Sequence, residues 1–382
     1  MRTLNVLHLA SFAGNTGDGA MHDGAYRTRQ ADMPFEFAYD RVEMREFVHW
    51  GRRGFDAEFI AQANQADLLL LGGNSIFQMW RDNTASGTYF DFAPDYLLQI
   101  TKPIVFYGIG CDATRGISSV AMERFRAFLD AMISSDRVLF SLRNDGSRTL
   151  VAEGAGEQYA AAMPVIPDGG LFAEPHASPR RPSPYIVVNV AGDMPEVRYG
   201  EDGLTRFSRH VAGQIDDLLS RHADLRVLFV PHVYSDLAVI ADCLAALDDR
   251  NRRMRVEVAP YLVDAGSWAD VFALYRGAAA VLAMRFHASL VPLGIGVPTV
   301  GLSTHHKVSG MFAGLGLGDR CIDVDGTHVG QGVEKAFRLL DADLETAHGA
   351  RAVERQAAAR NRERQNLAAF HRDMTAWLQR RL

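Results

Sequence analysis

Cysteine is scarce in this sequence. The 382 residues include only Cys111, Cys243 and Cys321, and no two of them are near each other along the chain. This spacing excludes a disulfide framework and a CxxC metal site. It is typical of a protein in a reducing compartment. We therefore expect a cytoplasmic protein without a metal.

Long apolar runs and an excess of positive charge are also missing. No stretch approaches about 18 consecutive apolar residues, which excludes a transmembrane helix. The first residues do not have the layout of a signal peptide. The net charge of -6 gives no general attraction to nucleic acid, so we expect no nucleic-acid partner. The content of 48% hydrophobic and 23% charged residues is ordinary for a globular protein.

Short apolar runs alternate with amphipathic stretches along most of the chain. Continuous apolar runs are typical of parallel strands covered on both faces, and their alternation with helices predicts right-handed βαβ units. Strands are predicted at residues 5–9, 66–71, 103–107, 138–142, 164–166, 185–190, 226–230, 253–258, 278–283 and 298–302. Helices are predicted at residues 55–64, 116–133, 205–219, 235–247, 268–276, 286–294 and 308–315.

A segment rich in proline and charge interrupts this alternation at residues 174–184 (EPHASPRRPSP). Its composition favours a linker. We therefore predict an α/β protein with a GT-B-like architecture, in which two Rossmann-like domains, residues 1–175 and 184–382, have parallel sheets facing a central cleft. Ligands of such sheets bind beyond the carboxyl ends of the strands.

The tail, residues 351–382, is basic, with eight arginines against three acidic residues. Four large apolar residues fall at helical spacing: Leu367, Phe370, Met374 and Trp377. We interpret the tail as a docked helix with a solvated basic face. The alternative is peripheral attraction to an anionic membrane or a lipid-linked acceptor.

The first polar turn, GNTGDG at residues 14–19, follows the first predicted strand and opens a helix. Small residues let a backbone approach a ligand, and a helix N-terminus favours anions. The glycine order GxxGxG fits neither a P-loop nor a dinucleotide fingerprint. The alternative is a tight turn in which Asp18 caps the helix.

Two more glycine turns end predicted strands. LGGN, residues 71–74, precedes a polar and aromatic loop at residues 76–92, and loops of that length are usually functional or mobile. YGIGCDA, residues 107–113, imitates GxGxxA, but no acidic residue ends a second strand about 20 residues later, which disfavours a nicotinamide cofactor. Cys111 within this turn is more typical of inert packing.

Two arginines follow strands. Arg143 in SLRND, residues 141–145, can bind a carboxylate or phosphate bidentately; the alternative is a salt bridge with Asp145 or Glu153. Arg285 stands two residues before His287. An arginine can hold an anion, and a histidine can transfer a proton near neutral pH. Among the motifs of this sequence, Arg-x-His is the strongest indication of a functional site.

Other strand ends carry weaker candidates. STHHK, residues 303–307, offers Lys307 as an anion partner, although an ordinary surface lysine is the alternative. His305 and His306 lack a third spaced ligand, which disfavours zinc. Asp168 and His232 also end strands and belong either to a site or to turns.

The order of these motifs resembles the polysaccharide pyruvyltransferase family. That family has GNxGD after the first strand, then a GG-rich strand end, GxG, Ser-x-Arg and a PD segment. Arg-x-His, Gly-x-Pro and a lysine follow in the second domain. This chain has each motif in that order from Gly14 to Lys307. Two positions depart from the pattern, because Asn74 replaces the third glycine of GGG and Thr304–His305 replaces an aromatic residue.

The resemblance implies a GT-B-like transferase of exopolysaccharide biosynthesis. Phosphoenolpyruvate is the implied donor substrate, no cofactor is implied, and the products are a pyruvyl ketal on a sugar and phosphate. It implies a donor side in residues 184–382 and an acceptor side in residues 1–175. The acceptor is a sugar or glycan, with a lipid-linked one included, and a homo-oligomer is compatible with the sequence.

The resemblance also suggests roles for individual residues. His287 is the predicted catalytic acid or base, and Asp18 is a second catalytic candidate. Arg285 and Arg143 are predicted to clamp the donor. The other predicted substrate-binding positions are Lys307, Asn15, Gly17, Gly73, Asn74 and Gly110.

Two other functions fit the same scaffold. One is a nucleotide-sugar glycosyltransferase, although many retaining members carry a paired-glutamate segment, and this chain has no glutamate between Glu257 and Glu334. The other is a non-catalytic sugar-binding protein, because fold alone does not establish activity.

Overall fold

The chain folds into two compact units. A computed structural model describes residues 2–179, 181–200, 203–264, 266–324 and 328–382. Unit 1 consists of Met1–Phe12, Ala25–Gly169 and Glu363–Leu382, and unit 2 consists of Ala13–Gly24 and Gly170–Arg362.

Unit 1 is built on a parallel sheet. Its strands are β1 (Arg2–Ala10), β2 (Phe35–Glu43), β3 (Leu68–Gly72), β4 (Ser75–Gln78), β5 (Ile104–Asp112), β6 (Val138–Arg143) and β7 (Val165–Ile166). The helices of this part of the chain are α1 (Thr16–Asp32), α2 (Arg45–Val48), α3 (Ala57–Gln65), α4 (Pro94–Leu98), α5 (Ser119–Ile133), α6 (Ser147–Gly154) and α7 (Glu157–Ala161). The strand order is β2-β1-β3-β5-β6-β7, with β4 paired to β5.

Burial explains which strands the sequence could reveal. All residues of β3 and β5 are buried, as expected for central parallel strands with both faces covered. The edge strand β2 instead mixes buried and exposed residues. Its sequence FEFAYDRVE has no more than three consecutive apolar residues, with charged residues on both sides, so the search for longer apolar runs missed it.

Unit 2 has a second parallel sheet. Its strands are β8 (Tyr185–Asn189), β9 (Arg226–Phe229), β10 (Val256–Val258), β11 (Ala280–Ala283), β12 (Thr299–Ser303) and β13 (Cys321–Asp323). The helices that follow are α8 (Pro195–Tyr199), α9 (Gly203–Arg221), α10 (Asp236–Ala246), α11 (Asp249–Met254), α12 (Trp268–Arg276), α13 (Phe286–Gly294), α14 (His306–Gly314), α15 (Val329–Asp343) and α16 (Thr346–Gln379). The strand order is β10-β9-β8-β11-β12-β13.

The predicted α/β fold with two parallel sheets is confirmed. The predicted strand at residues 253–258 is partly wrong, because Arg253 and Met254 belong to α11 and only Val256–Val258 is extended. The carboxylate of Asp248 caps this helix by accepting the backbone N–H groups of Arg250 and Asn251. Such a cap starts a helix before the apolar run begins.

The boundaries of the two units differ from the predicted domains, residues 1–175 and 184–382. Ala13–Gly24 belongs to unit 2, Glu363–Leu382 belongs to unit 1, and α1 and α16 each continue from one unit into the other. A continuous helix gives no compositional signal of such a change, whereas a proline-rich segment does. Residue 180 of the predicted linker lies outside the described residues.

The tail forms most of the long helix α16. Its apolar stripe, Leu367, Phe370, Met374 and Trp377, is buried, and the indole N–H of Trp377 donates to the backbone oxygen of Asp136 at 3.2 Å. This burial favours the docked helix over a membrane contact. Among the described residues, no helix is long and apolar enough to cross a membrane.

Candidate active site

The polar residues of unit 2 gather where neighbouring strands end. Strands β9, β8, β11 and β12 are adjacent and parallel, so the loops that follow them meet at one edge of the sheet. These loops carry His232, Asp193, Arg285 and the segment 304–307. The carboxyl edge of a parallel sheet is the place where α/β proteins bind ligands.

Arg285 is held between two carboxylates at the start of α13. Its Nε donates to Oδ2 of Asp236 at 2.8 Å, its Nη2 donates to the other oxygen of Asp236, and Nη2 also lies 2.6 Å from Oδ1 of Asp193. Burial alone would lower the pKa of Arg285, but the two carboxylates raise it above its ordinary value. The guanidinium is therefore charged and fixed in orientation.

Asp236 is the permanent partner of this arginine. Its side chain is 0% exposed, and it accepts the backbone N–H groups of Gly192, His232 and Val233 at 3.0, 2.9 and 3.2 Å. Burial alone would raise its pKa, but the hydrogen bonds from Arg285 and the backbone lower it. Asp236 therefore positions Arg285.

A second arginine, Arg198, lies on the other side of Asp193. Its Nη2 donates to Oδ2 of Asp193 at 3.0 Å, and its Nη1 donates to the hydroxyl of Thr304 at 2.9 Å. Burial alone would raise the pKa of Asp193, but Arg285, Arg198 and Lys307 hold it well below its ordinary value. Three cations thus surround one carboxylate.

His287 packs against the start of α1. A Cβ added to Gly17 would lie 2.5 Å from Cβ of His287, so only glycine allows this approach. Within the turn, Oδ1 of Asn15 accepts the N–H of Gly17 at 3.1 Å, and Nδ2 of Asn15 lies 3.4 Å from Oδ1 of the buried Asp18. The first polar turn and the Arg-x-His motif therefore meet within unit 2.

His232 differs from His287 in its surroundings. It is completely buried, and its Nε2 is 2.7 Å from the hydroxyl of Tyr275. Burial lowers the pKa of His232 to about 3, with further lowering by Arg285 and His287 and an opposing contribution from Asp236. This histidine is therefore neutral at neutral pH. Its backbone oxygen accepts the N–H of Thr16 at 3.4 Å, which suits a structural role.

Lys307 lies in the first turn of α14. Nδ1 of His305 accepts the backbone N–H of Lys307 at 3.3 Å and caps this helix. The charge of Lys307 contributes to the low pKa of Asp193. The segment STHHK therefore supplies both a cation and the hydroxyl that orients Arg198.

The candidates in unit 1 form a separate cluster around Arg143. Its guanidinium lies 2.7 Å from Asp145, 3.3 Å from Asp168 and 3.1 Å from the hydroxyl of Ser75. Burial alone would lower the pKa of Arg143, but the two carboxylates raise it. The expected partner Asp145 is present, and Asp168 takes the place of Glu153. This geometry favours the structural alternative, while a role in donor binding stays a prediction.

The glycine turns of unit 1 pack on this cluster. A Cβ on Gly110 would lie 2.6 Å from Nη2 of Arg143, and the backbone oxygen of Gly73 is 3.5 Å from its Nη1. Asn74 joins the turns, since its side chain accepts the N–H of Ser11 at 3.1 Å and its backbone oxygen accepts that of Gly110 at 2.9 Å. These contacts do not by themselves indicate a ligand.

Cys111 is buried in the same region, and burial raises the pKa of its thiol well above the ordinary value. This agrees with the interpretation that it is inert packing, because the thiolate is the reactive form.

Sequence reasoning missed three charged residues of unit 2: Asp193, Arg198 and Asp236. Asp193 follows β8 in the polar turn AGD, so the rule that strand ends carry sites would have found it. Arg198 lies within the short helix α8, and Asp236 begins α10. Neither shows a motif, because their roles depend on the approach of loops distant in sequence.

The sequence of the chain also matches a known protein family. A family model described as polysaccharide pyruvyl transferase matches residues 15–306. This chain belongs to the polysaccharide pyruvyl transferase family. The matched range includes both Asp18 and the Arg-x-His motif. Among curated proteins, none matches the chain in sequence.

Several solved structures share the fold of this pyruvyl transferase family member. A trehalose-6-phosphate synthase aligns with a TM-score of 0.56 and 9% identity, over 98% of this chain and 99% of that one. Anabaena HepE, in complex with UDP and glucose, aligns with a TM-score of 0.52 and 14% identity, over 96% of this chain and 99% of that one. The UDP-GlcNAc 2-epimerase of Methanocaldococcus jannaschii aligns with a TM-score of 0.52 and 9% identity, over 90% of this chain and 93% of that one. At such identities the likeness shows the fold, which is GT-B-like as predicted.

The contact between Gly17 and His287 leads to a testable prediction. We expect Gly17→Ala to destabilise the protein by about 1–3 kcal/mol, the usual cost of overpacking, because turning the ring cannot relieve a clash with Cβ of His287. The melting temperature measures this effect. Gly213→Ala in α9 is the control, since its Cβ would meet nothing within 4 Å. Equal melting temperatures for the two variants would contradict the close packing.

Proposed function

We propose that this protein transfers a pyruvyl group from phosphoenolpyruvate to two hydroxyl groups of a sugar, forming a ketal and releasing phosphate. The observation that carries the proposal is the pair of arginines, Arg285 and Arg198, which hold Asp193 at 2.6 and 3.0 Å. The charge of Lys307 also acts on this carboxylate, and Arg285 stands two residues before His287. Membership of the pyruvyl transferase family supports the same chemistry.

The charges of unit 2 suit this donor. Three cations face two carboxylates, Asp193 and Asp236, so this group has one positive charge in excess. Phosphoenolpyruvate carries a carboxylate and a phosphate, and arginine matches the oxygens of both groups. The arginines bind the carboxylate in this proposal, and Lys307 binds the phosphate as a point charge.

His287 supplies the proton in the proposed reaction. It protonates the methylene carbon of the donor, and the neighbouring carbon C2 becomes cationic. A sugar hydroxyl then adds to C2 and gives up its proton, for which Asp18 is the candidate acceptor. The bond from C2 to the phosphate oxygen breaks, and a second hydroxyl closes the ketal. The new methyl group keeps the proton from His287. Of the two hydroxyl protons, one leaves with phosphate and the other restores the proton of His287.

The proposal includes a cytoplasmic, biosynthetic role, with a free or lipid-linked glycan as acceptor. Phosphoenolpyruvate should raise the melting temperature, because a ligand at 100 times its Kd stabilises a protein by about 2.7 kcal/mol. UDP and GDP should not. Release of phosphate from phosphoenolpyruvate should require an acceptor sugar, and a panel of glycans would identify it.

Each rival function predicts a different result in these assays. Stabilisation by UDP or GDP without an effect of phosphoenolpyruvate would indicate a nucleotide-sugar glycosyltransferase. Binding of glycans without phosphate release under any condition would indicate a non-catalytic protein.

A further inference from the structure

Asp193 bridges two arginines in the way a ligand carboxylate would. Its Oδ1 accepts a hydrogen bond from Nη2 of Arg285 at 2.6 Å, and its Oδ2 accepts one from Nη2 of Arg198 at 3.0 Å. We propose that Asp193 is an internal competitor of the donor, and that the carboxylate of phosphoenolpyruvate binds Arg285 and Arg198 by exchange with it. The inference rests on the proposed function and adds Arg198 to the donor site.

The two carboxylates that pair with Arg285 are not equivalent. Asp236 is 0% exposed and accepts three backbone N–H groups, so moving its side chain would leave those groups without an acceptor. The side chain of Asp193 is 35% exposed, and the described hydrogen bonds of its carboxylate come only from the two arginines. Asp193 can therefore turn into solvent, while Asp236 stays.

The arginines keep their positions when this carboxylate leaves. Arg285 remains fixed by Asp236 through Nε and Nη2. Arg198 remains fixed by the hydroxyl of Thr304 and by the backbone oxygen of Asp193, which accepts its Nε at 2.8 Å. A pair of donors held in place before a ligand arrives binds it without a cost of reorganisation.

Acid cannot release Asp193 under ordinary conditions. Because the surrounding cations keep its pKa well below the usual value for aspartate, it stays ionised at the pH of any activity assay. A competing anion can instead displace the carboxylate of Asp193 from Arg285 and Arg198. Exchange of one carboxylate for another keeps a negative group beside the two arginines.

The backbone beside Asp193 is strained. Met194 has φ of 50° and is the only described non-glycine residue with positive φ. Such a conformation is uncommon for a residue with a side chain, and it often marks a functional constraint.

Titration calorimetry with three probes tests this exchange. Phosphoenolpyruvate carries a carboxylate and a phosphate group. Pyruvate has only the carboxylate, and inorganic phosphate represents only the phosphate group. We expect Asp193→Asn to bind phosphoenolpyruvate and pyruvate about two- to fivefold more tightly than wild type, the range typical for a part-exposed ion pair. Its affinity for phosphate should rise less, because Lys307 rather than the arginine pair binds that group in the proposed site.

Further variants separate competition from other roles. Asp193→Glu keeps the charge and should not tighten binding. Arg198→Gln should weaken binding of phosphoenolpyruvate about tenfold or more, as expected for a lost charge-assisted hydrogen bond. Asp341→Asn is the matched control, because Asp341 is a part-exposed carboxylate of unit 2 that pairs with Arg221 and His222. It should behave as wild type.

Three results would overturn the inference. Weaker binding in Asp193→Asn would mean that Asp193 positions the arginines. If Asp193→Asn bound only inorganic phosphate more tightly, Asp193 would occupy the place of the donor's phosphate and not of its carboxylate. Unchanged affinity for all three probes would remove it from the donor site. If wild type binds pyruvate but neither binds phosphoenolpyruvate nor releases phosphate from it, the proposed function fails, and the pyruvate titrations still test the exchange.

Discussion

Replacement of His287 by glutamine is expected to reduce the turnover number by about 10²–10⁴-fold, the usual contribution of a general acid or base. Glutamine approximates the size of the ring and keeps a hydrogen-bonding group, but it cannot donate a proton to carbon. The measurement is phosphate release from phosphoenolpyruvate at saturating donor and acceptor. The Kd of phosphoenolpyruvate should change little, because the cations of Arg285, Arg198 and Lys307 remain.

The control for this variant is His222→Gln, in which a part-exposed histidine of unit 2 that pairs with Asp341 is changed in the same way. It should retain full activity. The melting temperature of His287→Gln must stay near that of wild type for the comparison to hold. A well-folded His287→Gln protein with an undiminished rate would move the catalytic proton to another residue, and Asp18 would be tested next.

His232 shows why a histidine at a strand end is not enough to assign a role. From the sequence, His232 and His287 were both candidates at the ends of predicted strands. In the fold, His232 is fully buried with a pKa of about 3, while His287 lies against Gly17 in the turn that opens α1. The sequence indicates that a residue follows a strand, but the dielectric around it depends on packing by distant segments.

The same distinction applies to the arginines. Arg285 was found from a motif of three residues, because its neighbour His287 made the pattern visible. Arg198 has no such neighbour in sequence and meets Thr304 only through folding, across 106 positions of the chain. The buried strands could be predicted because each carries its signal in a few consecutive residues. The edge strand β2 carries no such local signal, and neither does the change from one unit to the other within α1 and α16.

Replacement of Arg143 by methionine is expected to destabilise the protein by about 3–5 kcal/mol, the cost of breaking a buried ion pair by removing one partner. The reason is that Asp145 and Asp168, both with 0% exposed side chains, would lose their guanidinium. At roughly 2–4 °C per kcal/mol for a domain of this size, the melting temperature should fall clearly. Arg148→Met is the control, since Arg148 is exposed on α6 of the same unit.

Arg143→Lys then separates stability from donor binding. Lysine keeps the positive charge between the two aspartates but lacks the planar fork that reaches Ser75 and Gly73, so we expect a smaller loss of stability than in Arg143→Met. If Arg143 only ties the strand ends together, folded Arg143→Lys should bind phosphoenolpyruvate with the affinity of wild type in calorimetry. A marked loss of that affinity in a protein with a nearly unchanged melting temperature would instead support the sequence prediction that Arg143 clamps the donor. It would then have to do so with a guanidinium that is already paired to two carboxylates. Because the side chains of Asp145 and Asp168 are both 0% exposed, neither could turn into solvent as Asp193 can, and the whole cluster would have to open.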